Sequence, residues 1–299
     1  MFKNVLIIGC GMIGSSILRG AINQKLCRNV YVFEKNIKYQ NQIKKISSKI
    51  ILIKKLDQKI NIMDLVIIST PMSEYQKIIG KLNENLSDKT LITDVGSTRA
   101  NVSKLIKEKL SKNLNWIMSH PISGSEASGP KYGSKNLFKN KWCILIKSKK
   151  NKKSEKKLSR FWKKLGSKVL YMQEEDHDKI FSVTSHLPHL VAYNLIKTAQ
   201  DFQKIHKKNI IKYSAGGLRD FSRIAASNEI MWRDIFFNNS KNMSRIIDLF
   251  IKNLKNFKID INKKRNSLLL DKLKKSKKVR EQILLLKQDI SKPDFGRES

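Results

Sequence analysis

Five short stretches of the 299-residue sequence carry side chains whose types and spacing suit chemistry. His120-Pro121-Ile122-Ser123-Gly124-Ser125-Glu126 sets an imidazole, two hydroxyls and a carboxylate close together. Ser185-His186-Leu187-Pro188-His189 supplies two more imidazoles. Gly216-Gly217-Leu218-Arg219-Asp220-Phe221-Ser222-Arg223-Ile224-Ala225 carries two guanidiniums, and Met231-Trp232-Arg233-Asp234 follows it. A neutral imidazole is a suitable base near pH 7. Arginine grips a carboxylate in a two-pronged fork, which lysine cannot do. His186 and His189 alone are half a metal site; no third and fourth ligand stands at suitable spacing, His177 being a weak candidate, so no metal is expected.

The fifth stretch, Gly9-Cys10-Gly11-Met12-Ile13-Gly14, is a GxGxxG. It follows the apolar run Val5-Leu6-Ile7-Ile8 and precedes a predicted helix from Met12 to about Asn23. In that setting Gly9 permits a tight turn, Gly11 lets backbone approach a pyrophosphate, and Gly14 lets helix and strand pack closely. A second strand, Val30-Tyr31-Val32-Phe33, ends in Glu34, twenty residues past Gly14, where an acid binds the adenosine ribose hydroxyls. An acid there repels a 2′-phosphate and favours NAD, while the adjacent Lys35 keeps NADP open. The glycines also break the apolar run too early for a secretory leader.

These groups need elements to position them. Strands are predicted at Leu65–Thr70, Thr90–Asp94, Trp116–Ser119, Trp142–Ile146 and Lys168–Tyr171, alternating with helical stretches, which implies a doubly wound parallel sheet. Ligands gather at the carboxyl ends of such strands. Ser69, Asp94, Ser97 and His120 all fall just past predicted ends, so one shared site is expected. The expected cofactor contacts are Gly9, Gly11, Met12, Ile13, Gly14, Glu34, Ser69, Thr70 and Asp94. Lys147–Lys157, nearly all Lys, Ser and Asn, reads as a solvated excursion. Past Glu174 only helical periodicity recurs, and Pro188 is expected to kink or restart its helix. The layout is an α/β dinucleotide-binding domain over 1–172 and a helical domain over 173–299. A basic amphipathic tail at about 262–290 has Leu269, Leu273, Val279, Ile283 and Leu286 suited to packing on a domain or subunit, with Pro293 ending it.

Composition narrows the classes. Hydrophobic residues are 40% of the chain, enough for a core, and no apolar run reaches the ~20 residues of a membrane span. Three scattered cysteines suit reduced thiols in a cytoplasm. With 61 Lys+Arg against 25 Asp+Glu the net charge is +36. That is either an electrostatic footprint for anionic partners or a compositional lean in lysine, asparagine and isoleucine spread through the chain. No helix-turn-helix or zinc pattern supports a nucleic-acid-binding regulator, and aromatics are not interleaved with the charges.

Over about residues 3 to 257 the combined motifs resemble the prephenate/arogenate (cyclohexadienyl) dehydrogenases of tyrosine biosynthesis. The likeness rests on the glycine loop, Asp94-Val95-Gly96-Ser97, His120-Pro121 with Gly124-Ser125-Glu126 and Gly129, Ser185–His189, Arg219–Ala225 and Met231–Asp234. Arg99 stands where that family usually has Lys, Leu218 where it has Phe, and Ala215 where a third Gly is common. The resemblance implies a Rossmann-type domain followed by a helical dimerisation domain. It implies that His120 takes the proton of the substrate's ring hydroxyl as hydride leaves to NAD, with Ser97 orienting both. It implies that Arg223 holds a substrate carboxylate and that His189, Ser185 and Trp232 line the same pocket. Glu126 and Asp220 become supporting or gating acids, and the partners are a small-molecule substrate and a second copy of the chain, with neither nucleic acid nor membrane. The competing enzyme reading is another NAD(P)-linked dehydrogenase with a helical C-terminal domain acting on a hydroxy acid or pyrroline. Such enzymes depend on a helical-domain Lys and lack the Ser185–His189 and Arg219–Arg223 segments.

Overall fold

A strand that is apolar on both faces must be covered from both sides. Val5–Ile8 is such a strand. The computed structural model describes residues 2–148 and 151–286. In it β1 (Phe2–Ile8) is flanked by β2 (Cys27–Phe33), β3 (Ile50–Leu52), β4 (Leu65–Ile68), β5 (Leu91–Asp94) and β6 (Asn115–Trp116). All pairings are parallel, in the order β3-β2-β1-β4-β5-β6. Helices α1 (Met12–Asn23), α2 (Ile37–Lys44), α3 (Tyr75–Asn85) and α4 (Ala100–Lys109) connect the strands. Alternate β1 residues feed two cores: Val5 and Ile7 pack with Ile17, Leu18 and Trp162, and Leu6 and Ile8 with Tyr75, Ile78 and Leu82. The register sets Ile8 opposite both Phe33 and Ile68, and Ile68 opposite Asp94. The four strands therefore end level, which puts Gly9, Glu34, Ser69 and Val95 along one edge, at the switch point between β1 and β4.

The strand expected over Trp116–Ser119 is two strands. Ile117 still donates its amide to Ile92 (2.9 Å), but Met118 accepts from Ile146 (3.0 Å), so the chain changes partners between them. It continues as β7 (Ser119–Pro121), which with β8 (Trp142–Ile146) and β9 (Lys168–Met172) forms a separate three-stranded sheet, order β7-β8-β9. β7 runs antiparallel to β8 and places His120 opposite Ile144, so His120 lies inside a strand rather than past its end. The Lys147–Lys157 stretch is also corrected: α5 (Lys152–Lys164) begins inside it. Asn151 caps the helix by accepting the Ser154 amide (3.0 Å), and the buried Glu155 carboxylate accepts the Ser148 amide (2.8 Å). Leu158, Phe161 and Trp162 turn this lysine-rich helix toward the core, while its charges face water.

After β9 the chain is helical: α6 (Glu174–Phe181), α7 (Leu187–His206), α8 (Gly216–Ile224), α9 (Glu229–Asn238), α10 (Ser240–Asn262) and α11 (Asn266–Leu285). Packing divides it into two compact units that part between Met243 and Ser244. In the second, the turn between α10 and α11 carries Lys264 in the left-handed region, and Asp260 pairs with Lys272 (2.5 Å) and Arg265 (3.6 Å). The expected apolar stripe is on α11, with Leu273, Val279 and Ile283 exposed on this single chain. The expected continuation to 290 and its stop at Pro293 lie outside the described residues. Among the described residues no helix is long and apolar enough to cross a membrane.

Candidate active site

The glycine loop leaves β1 at Gly9, whose φ of +80° is open to glycine at little cost. A Cβ on Gly14 would stand 2.4 Å from the Gly9 carbonyl, so loop and helix meet there without room for a side chain. At Gly11, which precedes α1, a Cβ would meet nothing within 4 Å, and no side chain caps the helix. Backbone amides at the first turn, around Met12 and Ile13, therefore stay open to an anion. The Ser69 hydroxyl donates to the Gly9 carbonyl and anchors the loop. Thr70 Oγ1 is buried with no partner among the described residues, as a group awaiting a ligand would be. Glu34 accepts the Cys10 amide (2.7 Å) on one oxygen and the Asn36 amide (2.9 Å) on the other. It thus ties the end of β2 to the glycine loop. Lys35 is turned to Glu74 (2.6 Å). Such a cradle fits a nicotinamide dinucleotide.

Asp94 does not reach out to this cradle. Its carboxylate accepts from Arg99 Nη1 (3.1 Å) and Nη2 (2.8 Å), the Tyr75 hydroxyl (3.1 Å), Trp116 Nε1 (3.1 Å) and the Gly96 amide (3.0 Å). Asp94 and Arg99 are both fully buried. A Cβ on Gly96 would strike the Arg99 guanidinium at 2.5 Å, so this network dictates glycine before Ser97. The expected cofactor contact is thus a structural anchor that shapes the turn presenting Ser97, which is itself half-buried.

His120 is 9% exposed and meets His177 through its Nδ1, 2.8 Å from His177 Nε2. His177 Nδ1 is 2.9 Å from the Asp178 carboxylate. Asp178 in turn accepts the Arg99 and Ala100 amides, each at 2.8 Å, and so caps α4 from another element. Burial, with His177, Arg99 and His186 nearby, holds His120 well below the usual histidine range. Burial, with Arg99 and His186, drives His177 down to about 2. Both rings are neutral at physiological pH.

Between α6 and α7, Ser182–His186 forms a π-helical turn, and Pro188 sits in the first turn of α7, where its missing amide costs nothing. The restart expected from Pro188 is thus present. His186 faces inward, its Nδ1 3.1 Å from the Asn239 amide group. Burial pushes it down to about 4. Half-buried Ser185 accepts the His189 Nδ1 proton on its carbonyl (2.9 Å). His189 stacks on the buried Trp232, ring centres 3.7 Å apart. Arg223, half exposed, pairs with Glu126 at 3.0 Å. That contact joins α8 to the loop that follows His120, and the Arg223 charge is felt by His189. Asp220, half-buried, lies one turn before Arg223 on the same helix.

A parallel sheet opened by a glycine loop, with a carboxylate ending β2 and a buried neutral imidazole beside it, defines a nucleotide-dependent oxidoreductase. Two family models match the chain: "Prephenate dehydrogenase, nucleotide-binding domain" over residues 20–171, and "Prephenate dehydrogenase, dimerization domain" over 173–275. Cyclohexadienyl dehydrogenase of Zymomonas mobilis is 30% identical over 97% of this chain and 98% of its own length. Prephenate dehydrogenase of Lactococcus lactis is 29% identical over 93% and 77%. A crystal structure of prephenate dehydrogenase from Aquifex aeolicus, in complex with hydroxyphenyl propionate and NAD+, is 33% identical, covers 95% of this chain and 99% of its own, and superposes with a TM-score of 0.86. The chain belongs to the prephenate dehydrogenase family.

Three site features escaped sequence reasoning. On sequence alone His177 is no more than a weak metal-ligand candidate, nothing local marks Asp178, and Asn239 carries no motif. The adjacent pair His177-Asp178 was visible, but only the fold turns it beneath His120.

Proposed function

We propose that the chain is an NAD-dependent prephenate or arogenate dehydrogenase, converting the cyclohexadienol to 4-hydroxyphenylpyruvate or tyrosine with loss of CO2. Residues 1–172 hold the cofactor and 173–299 supply substrate and dimer contacts. When bound, the dinucleotide's nicotinamide supplies the hydride acceptor. Gly9, Gly11, Met12, Ile13, Gly14 and Thr70 would hold it, with Glu34 at the ribose. The carboxylate at Glu34, with Lys35 drawn away to Glu74, favours NAD over NADP.

The protein's own part is orientation and a base. His120 accepts the proton of the C4 hydroxyl as the C4–H bond breaks, and Ser97 orients that hydroxyl. As the C1–carboxylate bond breaks, its electron pair enters the ring, which becomes aromatic as a phenolate, and the proton held on His120 returns to that oxygen, so the step releases no net proton and runs strongly downhill. Arg223 binds a substrate carboxylate, which replaces Glu126 as its partner. His189, braced by Trp232 and the Ser185 carbonyl, lines the pocket. The exposed stripes of the helical part suit a homodimer, and the free thiols of Cys10, Cys27 and Cys143 suit the cytoplasm.

The single observation that carries this reading is a buried, neutral His120 whose following loop is gripped by Arg223 through Glu126. The test is the initial rate of cofactor reduction with prephenate and arogenate, each with NAD+ and NADP+. The expected result is turnover of at least one substrate, faster with NAD+. His120→Asn should lower kcat by ~10²–10⁴-fold, the range of a lost general base, with dinucleotide affinity unchanged. Absence of turnover with both substrates, or an active His120→Asn enzyme, would overturn the reading.

A further inference from the structure

On the reading of His120 as the base, one of its two ring nitrogens must take the proton. A neutral imidazole carries one proton, and only the nitrogen without it can accept another. The structure constrains that choice from a distance. Asp178 takes an amide N–H on each oxygen, Arg99 on Oδ1 and Ala100 on Oδ2, at the positive end of α4. A carboxylate held by two donors in this way is an acceptor only. The proton between it and His177 must therefore lie on His177 Nδ1, 2.9 Å away. His177 Nε2 is then a lone pair, and the 2.8 Å contact to His120 Nδ1 requires that nitrogen to be the donor. Nε2 of His120 is what remains.

We propose that Asp178 and His177 are positioning residues that fix His120 as its Nδ1–H tautomer and so leave the Nε2 lone pair free as the base. Proton bookkeeping closes at each atom. The substrate hydroxyl proton arrives on His120 Nε2, the Nδ1–H bond to His177 is kept, the imidazolium charge faces a neutral relay that ends on the Asp178 carboxylate, and the proton returns from Nε2 to the phenolate oxygen once CO2 has left. The same chain explains why the relay sits in α6 and not in the sheet. His120 is locked in β7, and α6 is the element whose Asp178 also caps α4. The base, the Ser97 turn and the start of α4 are thus held in one frame.

The geometry also states what reverses the tautomer. An Asn at 178 loses one of the two amide bonds whichever way it turns; turned so that the Arg99 amide is the one given up, it offers its NH2 to His177 Nδ1. That would force the His177 proton onto Nε2, make His120 Nδ1 the acceptor, and place a proton on His120 Nε2, where the lone pair is needed. The loss expected for such a reversed tautomer is ~10²–10⁴-fold in kcat, the range of a lost general base, its upper end being about the loss seen when the orienting Asp of a Ser-His-Asp triad becomes Asn.

The test begins with imidazole ¹⁵N shifts of the full-length, uniformly labelled wild-type chain, His120 being assigned by its loss in His120→Asn. His120 is expected to show a protonated Nδ1 and an unprotonated Nε2, and Asp178→Asn should exchange the two. Asp178→Asn and His177→Leu should lose ~10²-fold or more in kcat with KM and dinucleotide affinity within about twofold of wild type. His177→Gln, whose side-chain oxygen can accept from His120 Nδ1, should recover at least tenfold of the His177→Leu loss. A wild-type spectrum with the proton on Nε2 would overturn the proposal, and so would near-normal kcat in both Asp178→Asn and His177→Leu. If either variant fails to fold, the wild-type spectrum decides alone. An active His120→Asn would instead sink the base assignment itself, whichever tautomer the spectrum shows.

Discussion

The buried pair of Asp94 and Arg99 permits a prediction with a magnitude. Both side chains are fully buried, and the two guanidinium contacts are 3.1 and 2.8 Å. Burial opposes the Arg99 charge, but Asp94 more than restores it, so the guanidinium is held above its ordinary pKa. In Arg99→Met the carboxylate keeps three neutral donors, from Tyr75, Trp116 and Gly96, but loses its counter-charge. Breaking a buried pair from one side costs about 3–5 kcal/mol, because the remaining charge is stranded. At about 2–4 °C of Tm per kcal/mol in a protein of this size, Tm should fall by about 6–20 °C. The assay is thermal and urea unfolding at fixed protein concentration, wild type against variant. It should be repeated at stepped pH, because the penalty belongs to a charge. Once the stranded carboxylate takes up a proton, the difference from wild type should shrink on acidification, by at most about 1.4 kcal/mol per pH unit. A deficit under 1 kcal/mol at neutral pH, or one that does not shrink in acid, would refute the account of Asp94 as a charged anchor. The variant should also lose turnover, since the same network shapes the turn that carries Ser97.

Other outcomes follow from the same geometry. Arg223→Ala should raise KM for the substrate by ~10-fold or more with a smaller effect on dinucleotide binding, since a charge-assisted carboxylate bond contributes about 1.5–3 kcal/mol; steady-state kinetics with the two ligands varied separately checks this. Glu34→Ala should weaken NAD+ and raise the rate with NADP+ relative to NAD+, and an unchanged ratio would remove Glu34 from cofactor choice. His177 and His186, held near 2 and 4, are buried neutral and take up protons only on unfolding. Their folded pKa values lie below the unfolded value of about 6.5, so the unfolded state binds more protons between those limits. Stability should therefore fall as pH drops below about 6.5, by about 1.4 kcal/mol per pH unit for each group, and flatten for His186 below about 4. His186→Asn should reduce that slope in an unfolding series across pH 7 to 4.

The sequence by itself determined the local pieces. Four consecutive β-branched and aliphatic residues before Gly9-Cys10-Gly11 can be little but a buried strand and its turn. α1 accordingly spans Met12–Asn23, as its pattern predicts. Pro188 marks the helix restart because a missing amide is a property of one residue. The long helical run past Glu174 is legible in its periodicity for the same reason. What the pattern could not hold is pairing between distant segments. Trp116–Ser119 reads as one strand, yet it serves two sheets, because β5 and β8 compete for its backbone groups, and that competition exists only in three dimensions. Lys147–Lys157 looks solvated by composition, but one buried carboxylate and a few apolar side chains were enough to make its second half helix. At the site, residue types alone placed Asp94 with the cofactor, while the partners that occupy it come from residues 75, 96, 99 and 116. Nor does any local rule connect His177 to His120, fifty-seven positions earlier. Which nitrogen of a histidine holds its proton depends on what the other one touches, and only the tertiary structure decides that.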